Sequence, residues 1–205
     1  RNSELFDERI GLVLKMIEIY DPDTIGFQEI AIWDTLVAAL EDRYGYIVKG
    51  SGNIFYKKDK FELLDSAIKY LSDTPDVKSK FPESSNVRAL RYAHLRVKET
   101  GEEFFHVNTH LNHESETARV LQNEVLVSLV KELVPFGMPC IITGDFNANE
   151  KAESHKVIID AGFINSSHIA DVAEKGATFN NYGLSGAVID FIFVNPSVGV
   201  NYYKA

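Results

Sequence analysis

Two runs of strict alternation in the middle of the chain constrain its fold more than anything else in it. Arg88-Ala89-Leu90-Arg91-Tyr92-Ala93-His94-Leu95-Arg96-Val97 changes face at each residue, as does Glu103-Phe104-Phe105-His106-Val107-Asn108-Thr109-His110-Leu111 after the polar turn Lys98 to Glu102. A period of two belongs to an extended strand, and two such runs around a short turn predict an antiparallel hairpin. The first run carries long side chains on both faces, so layers should cover both sides of the sheet. In the returning strand Asn108 and His110 leave by one face, and Phe105, Val107, Thr109 and Leu111 by the other.

A further strand ends at a group of polar residues. Cys140, Ile141 and Ile142 form a β-branched run after the turn Phe136-Gly137-Met138-Pro139, and Gly144 lets another group approach the backbone closely. Asp145 and Asn147 stand two residues apart, so on an extended chain both side chains leave by one face while Phe146 turns to a core. Asp can hold a metal or a water, and Asn can donate to an oxyanion. A polar turn with Asp and Asn bonding their own backbone accounts for the same residues.

The remaining chain alternates helices and strands. Leu5, Phe6, Arg9, Ile10, Val13, Leu14, Ile17 and Tyr20 fall at helical spacing, and Asp21-Pro22-Asp23 stops that helix. Thr24 to Glu29 reads as a strand with Ile25, Phe27 and Glu29 on one face; taken alone, Glu29 is a solvated carboxylate at its exit. Ala31 to Leu40 reads as a second helix, and Tyr46-Ile47-Val48 and Ile54-Phe55-Tyr56 as paired strands joined by Lys49-Gly50-Ser51-Gly52-Asn53. Phe61 to Leu71 is expected as a strand region, and Ser72 to Ser85 as a polar loop. Ser115 starts a helix that Pro135 ends, and Glu153 to Ala161 is another, closed by Gly162. Val188 to Val194 is an apolar strand with Asp190 embedded in it. A buried carboxylate is costly unless a cation, a metal or a histidine answers it.

Composition enters at the level of partners. At 205 residues and 45% hydrophobic the chain can bury one sizeable core, and its net charge of −9 without any basic run weighs against polyanions. The lone Cys140 rules out an intramolecular disulfide and points to a reducing compartment, the cytoplasm. Secretion stays open, because the chain begins at Arg1 without Met and an upstream segment is expected to be missing. No apolar run is long enough to span a bilayer.

The order of elements implies an α/β layered domain with a mixed, largely antiparallel sheet. Glu29, His110, Asp145, Asn147 and Asp190 all lie at or near strand ends, where one rim can gather them. Three carboxylates with a histidine and an amide suit one or two hard cations, Mg²⁺ before Zn²⁺, with Mn²⁺ as a substitute. Such an ion polarises a phosphoryl oxygen and helps to generate hydroxide.

Gly26-Phe27-Gln28-Glu29, Asn108-Thr109-His110-Leu111, Gly144-Asp145-Phe146-Asn147 and Ile189-Asp190-Phe191-Ile192-Phe193 stand in an order and spacing that resemble the endonuclease/exonuclease/phosphatase superfamily. Arg88 with Tyr92 and Ala93, and His110-Leu111-Asn112-His113 with Ala118-Arg119, resemble patterns of its small bacterial metal-dependent hydrolases. The resemblance implies a DNase I-like four-layer α/β sandwich, two packed largely antiparallel sheets flanked by helices. It implies Glu29 as the principal Mg²⁺ ligand, with Asp145 and Asp190 also at the metal site. Asp145 would position or activate the attacking water, and Asn147 would bind phosphoryl oxygens. His110 would donate to the phosphate, more strongly when protonated, a state that a neighbouring anion favours. Asp190 would form the floor of the site. Arg88 and Arg119 read as ion pairs that hold the hairpin and the helix, and His113 as either a pocket residue or an exposed one.

Three departures from the family pattern stand out. Its first strand, with an Asn supporting the metal-binding Glu, has no counterpart before residue 5. Its final strand, with an Asp-His pair, has none before Ala205, and its second Glu is missing between Val48 and Ile54. The expectation is therefore a single domain over residues 1–205, incomplete at both ends. The expected activity is Mg²⁺-dependent hydrolysis of a small phosphodiester or phosphomonoester by water attack on phosphorus. The alternatives are a non-catalytic binding domain of the same fold and a nuclease acting on DNA or RNA.

Overall fold

The computed structural model describes residues 2–30, 33–47, 53–180 and 186–205, with the backbone alone for 2–8. The expected hairpin is its centre: β5 (Ala89–Val97) pairs antiparallel with β6 (Glu103–His110), in a register running from Leu90↔Thr109 to Arg96↔Glu103. Most residues of both strands are buried whichever face they take, as expected of central strands covered on two sides. Strand β4 (Phe61–Tyr70) pairs antiparallel with β5 on the outer side. On the inner side β7 (Cys140–Asp145) runs parallel to β6, β10 (Asp190–Val194) runs antiparallel to β7, and the two-residue β8 (Ile164–Asn165) closes the edge. The six-stranded order is β4-β5-β6-β7-β10-β8. A three-stranded antiparallel sheet, β1-β3-β2, packs on it and consists of β1 (Thr24–Gly26), β2 (Tyr44–Tyr46) and β3 (Ile54–Lys57).

Helices cover the outer faces of both sheets. The parallel step from β6 to β7 requires a crossover, which α3 (Glu116–Leu133) supplies. Ser115 caps it by accepting the Ala118 N–H at 3.1 Å, and Val134 leaves it in an extended conformation before Pro135. Helix α4 (Glu153–Asp160) ends at Gly162, whose φ of 97° only glycine adopts readily. Leu126 and Val130 of α3 and Ile158 of α4 share a core with Val107, Ile142, Phe146 and Phe193. On the opposite side α1 (Asn2–Tyr20) and α2 (Trp33–Leu40) contribute Ile17, Trp33, Leu36 and Leu40 to a cluster with Phe55. Between the sheets Ile54 and Ile47 meet Ala93, Leu95 and Phe61. The result is the expected sandwich of helices, small sheet, large sheet and helices.

The differences from expectation lie at short elements. Strand β1 stops at Gly26, short of Glu29, and β2 lies two residues earlier than expected, while Val48 to Gly52, Ala31 and Ile32 fall outside the described residues. Helix α5 (Ser166–Ile169) and the parallel pair β9 (Val172–Glu174) with β11 (Tyr202–Lys204) carry no periodicity long enough to read. Among the described residues no helix is long and apolar enough to cross a membrane.

Candidate active site

Strand register builds the site. His110 ends β6, Asp145 ends β7 and Asp190 begins β10, and pairing sets them side by side as His110↔Asp145 and Asp145↔Asp190. Gly144 permits this closeness: a Cβ there would stand 2.6 Å from the Thr109 carbonyl oxygen and 2.9 Å from its methyl. Glu29 approaches from the small sheet, and a cavity of about 540 Å³ is lined by Glu29, Asp145 and Asp190 together with Gln28, Thr178 and Phe179.

Burial first, and then their mutual charge, governs the ionisation of the carboxylates. Burial pushes the Asp145 carboxyl up to about 6; the Asn147 N–H draws it down, Asp190 and Glu29 add to the rise, and Arg88 opposes it. Burial raises Asp190 as well, against a hydrogen bond from the Thr178 hydroxyl and with the charge of Glu29. Oxygen donors that repel one another in a partly buried cavity are the electrostatic setting a hard cation relieves, and the donor set fits Mg²⁺ or Mn²⁺. Among the described residues no three acidic, histidine or cysteine side chains are gathered closely enough to enclose an ion.

Four local expectations are corrected. Asn147 does not follow Asp145 on an extended chain. The strand ends at Asp145, whose Oδ1 accepts the Asn147 N–H at 2.8 Å, and Asn147 takes a φ of 50°. Its carboxamide Nδ2 donates to the Leu111 carbonyl at 3.0 Å, so it is aimed by a turn, not by a pleat. Glu29 shares no strand face with Ile25 and Phe27; it lies past the strand, exposed, with a φ of 55°. Asp190 opens its strand instead of sitting within it and is half-buried, since Ile189 and Asp190 both give their N–H to Thr178 Oγ1 at 3.1 Å. His110 is not favoured as an imidazolium. Burial, Arg88 and His113 lower it to about 4, and its Nε2 stands 3.6 Å from Asp145 Oδ2, beyond hydrogen-bond length.

Arg119 matches its expected structural role, gripping Glu116 at 2.7 Å and donating to the Asn112 carbonyl at 3.0 Å. His113 is exposed and lies 3.3 Å from Glu114. Arg88 departs from the expected hairpin ion pair: its Nε is buried with no hydrogen-bond partner, and its charge acts on Asp145, Glu29 and His110. Only the Arg-aromatic-Ala pattern hinted at that place. Thr178 left no signal, being one hydroxyl in a loop brought to Asp190 by tertiary folding.

The molecule has close structural counterparts. The mannosyl-6-phosphatase of Bacteroides thetaiotaomicron is 32% identical with a TM-score of 0.89, over 97% of this chain and 80% of that one. An endonuclease/exonuclease/phosphatase from Bacteroides vulgatus is 30% identical with a TM-score of 0.88, over 94% and 81%. The uncharacterized protein L388 of Acanthamoeba polyphaga mimivirus is 27% identical over 71% of this chain, a match that spans 60% of that protein's length. The model of the Endonuclease/Exonuclease/phosphatase family matches residues 2–204, and the chain belongs to that family.

Proposed function

We propose that the chain hydrolyses a small phosphoester, a sugar phosphate or a similar phosphomonoester before a polymer, with a divalent cation held by Glu29, Asp145 and Asp190. Asp145 and Asp190, paired side by side and lining one cavity with Glu29, carry this reading, with His110 next to Asp145 in the same row. Likeness to a mannosyl-6-phosphatase supports the phosphomonoester, and the net charge of −9 weighs against polyanions. When bound, the ion neutralises charge on the phosphoryl group and acidifies water.

The remaining chemistry belongs to the side chains. Asp145, a ligand of that ion, also positions the attacking water, with its Oδ1 held by the Asn147 N–H at 2.8 Å. Asn147 has one amide N–H committed to Leu111, which leaves the other to donate to a phosphoryl oxygen. Neutral His110 orients by hydrogen bonding rather than by charge. Arg88 supplies the fixed positive charge, its guanidinium held beside the acidic cluster.

The test is Mg²⁺-dependent release of phosphate from mannose 6-phosphate and of p-nitrophenol from p-nitrophenyl phosphate and its bis-ester. EDTA and Glu29→Ala serve as controls. Activity on a monoester that needs both Mg²⁺ and Glu29 is expected. A folded protein silent on all three substrates overturns the proposal, and activity on single-stranded DNA alone replaces it with a nuclease.

A further inference from the structure

We infer that Asn108 is a positioning residue: its buried carboxamide holds the turn Phe27-Gln28-Glu29, and through it Glu29, at the cavity. The inference rests on the metal-dependent reading of the site. Asn108 is wholly buried in β6 and uses its full hydrogen-bonding capacity. Nδ2 donates to the Phe27 carbonyl at 3.0 Å and to the Asn53 carbonyl at 3.1 Å; Oδ1 accepts from Gln28 Nε2 at 2.6 Å and from Thr143 Oγ1 at 2.9 Å. The Asn53 carbonyl also receives the Phe27 N–H at 2.8 Å. One side chain thus ties the central strands of the large sheet to two segments of the small one, with two donors meeting two carbonyls. An Asp there would set carboxylate oxygens against those carbonyls, and an apolar residue would leave them unpaired.

Two further observations tie this brace to Glu29. A Cβ on Gly26 would fall 2.7 Å from Asn108 Oδ1 and 2.3 Å from Thr143 Oγ1, so the small sheet is drawn against the large one where the turn begins. Glu29 then takes a φ of 55°, a conformation that residues other than glycine keep only when their surroundings over-determine it. Hydrogen bonds from β6 to Phe27 and Gln28, the two residues before Glu29, supply that determination.

The experiment compares wild type, Gln28→Leu and Asn108→Ala by Mn²⁺ titration read from the electron paramagnetic resonance of free Mn²⁺, with hydrogen exchange across residues 26–30 and thermal melting. Gln28→Leu removes one bond to the hub and leaves the core intact, so it remains informative if Asn108→Ala does not fold. The expected result for Gln28→Leu is a Mn²⁺ affinity lower by about tenfold or more, as for other residues that orient metal ligands. Exchange at 26–30 should be faster, the melting temperature should fall by only about 2–4 °C, and turnover should return at high Mn²⁺. Unchanged Mn²⁺ affinity in both variants, or in Gln28→Leu where Asn108→Ala does not fold, with the wild type active, overturns the positioning role and leaves the hydrolase reading standing. A wild type that binds no Mn²⁺ and hydrolyses nothing overturns both.

Discussion

At residue scale the site works against its own stability. The Asp145 carboxyl at about 6 in the fold compares with 3.8 for an unperturbed Asp, so the folded chain holds that proton more tightly than the unfolded chain. Stability from this group is therefore present below the unfolded value and lost as pH rises from about 4 to about 6. Asp145→Asn removes the ionised form while its Oδ1 still accepts the Asn147 N–H. At pH 7.5 the variant should melt no lower than wild type, with turnover reduced by orders of magnitude; a drop of more than a few degrees would refute the argument that burying this charge costs stability. Gly144→Ala should instead lose both, because backbone at 2.6 Å cannot yield without parting β6 from β7, at a cost of about 1–3 kcal/mol. Gly144 and Asp145 were legible because their chemistry is local. The posture of Asn147 was not, since a φ of 50° follows from the turn that Asp145 itself caps, and the pleat argument assumed a strand that continued.

At element scale legibility tracked the length of the pattern. The hairpin of β5 and β6 and the helix α3 followed from runs long enough to show a period, and the Ser115 cap was visible as a residue type at the right place. The three-residue β1 was not bounded correctly, because what ends it is the contact with Asn108 and Thr143, remote in sequence. The loop after β6 is organised the same way. Asn112 Oδ1 accepts the N–H groups of Glu114 and Ser115, its Nδ2 donates to Ser84 and Ser85, and Gln122 Oε1 accepts the Asn112 N–H at 2.9 Å. Gln122→Leu would bury that N–H unpaired in a site with no exposure, costing about 1–3 kcal/mol. Urea unfolding should show that loss; a stability within error of wild type would mean that the network reorganises without cost.

At the scale of the whole molecule, the layers followed from element order and from the four polar motifs. What could not be read was how many ionisable groups the layers enclose in their neutral forms. His106 lies between the sheets, 2% exposed and 2.9 Å from Thr143 Oγ1. His155 lies on the opposite side, edge-on to Phe191 at 4.4 Å and near Phe146 and Phe193. Burial lowers each from 6.5 to about 4, for His155 with Glu116 and Glu150 opposing and Arg119 assisting. Between those values the unfolded chain takes up protons that the folded chain refuses, so each histidine's contribution is lost as pH falls from about 6.5 to about 4. Asp145 slopes the other way over part of that window, and the histidines outnumber it. His155→Leu keeps the apolar contacts and removes one of the refused protons. The pH dependence of unfolding free energy between pH 6 and 5 should therefore flatten by about 1.2 kcal/mol per pH unit relative to wild type. Urea titrations at pH 7, 6 and 5 measure that slope directly. An unchanged slope in His155→Leu would mean that His155 already binds its proton in the folded state, paired with Glu116 or Glu150, and that the aromatic cage around it admits a charge.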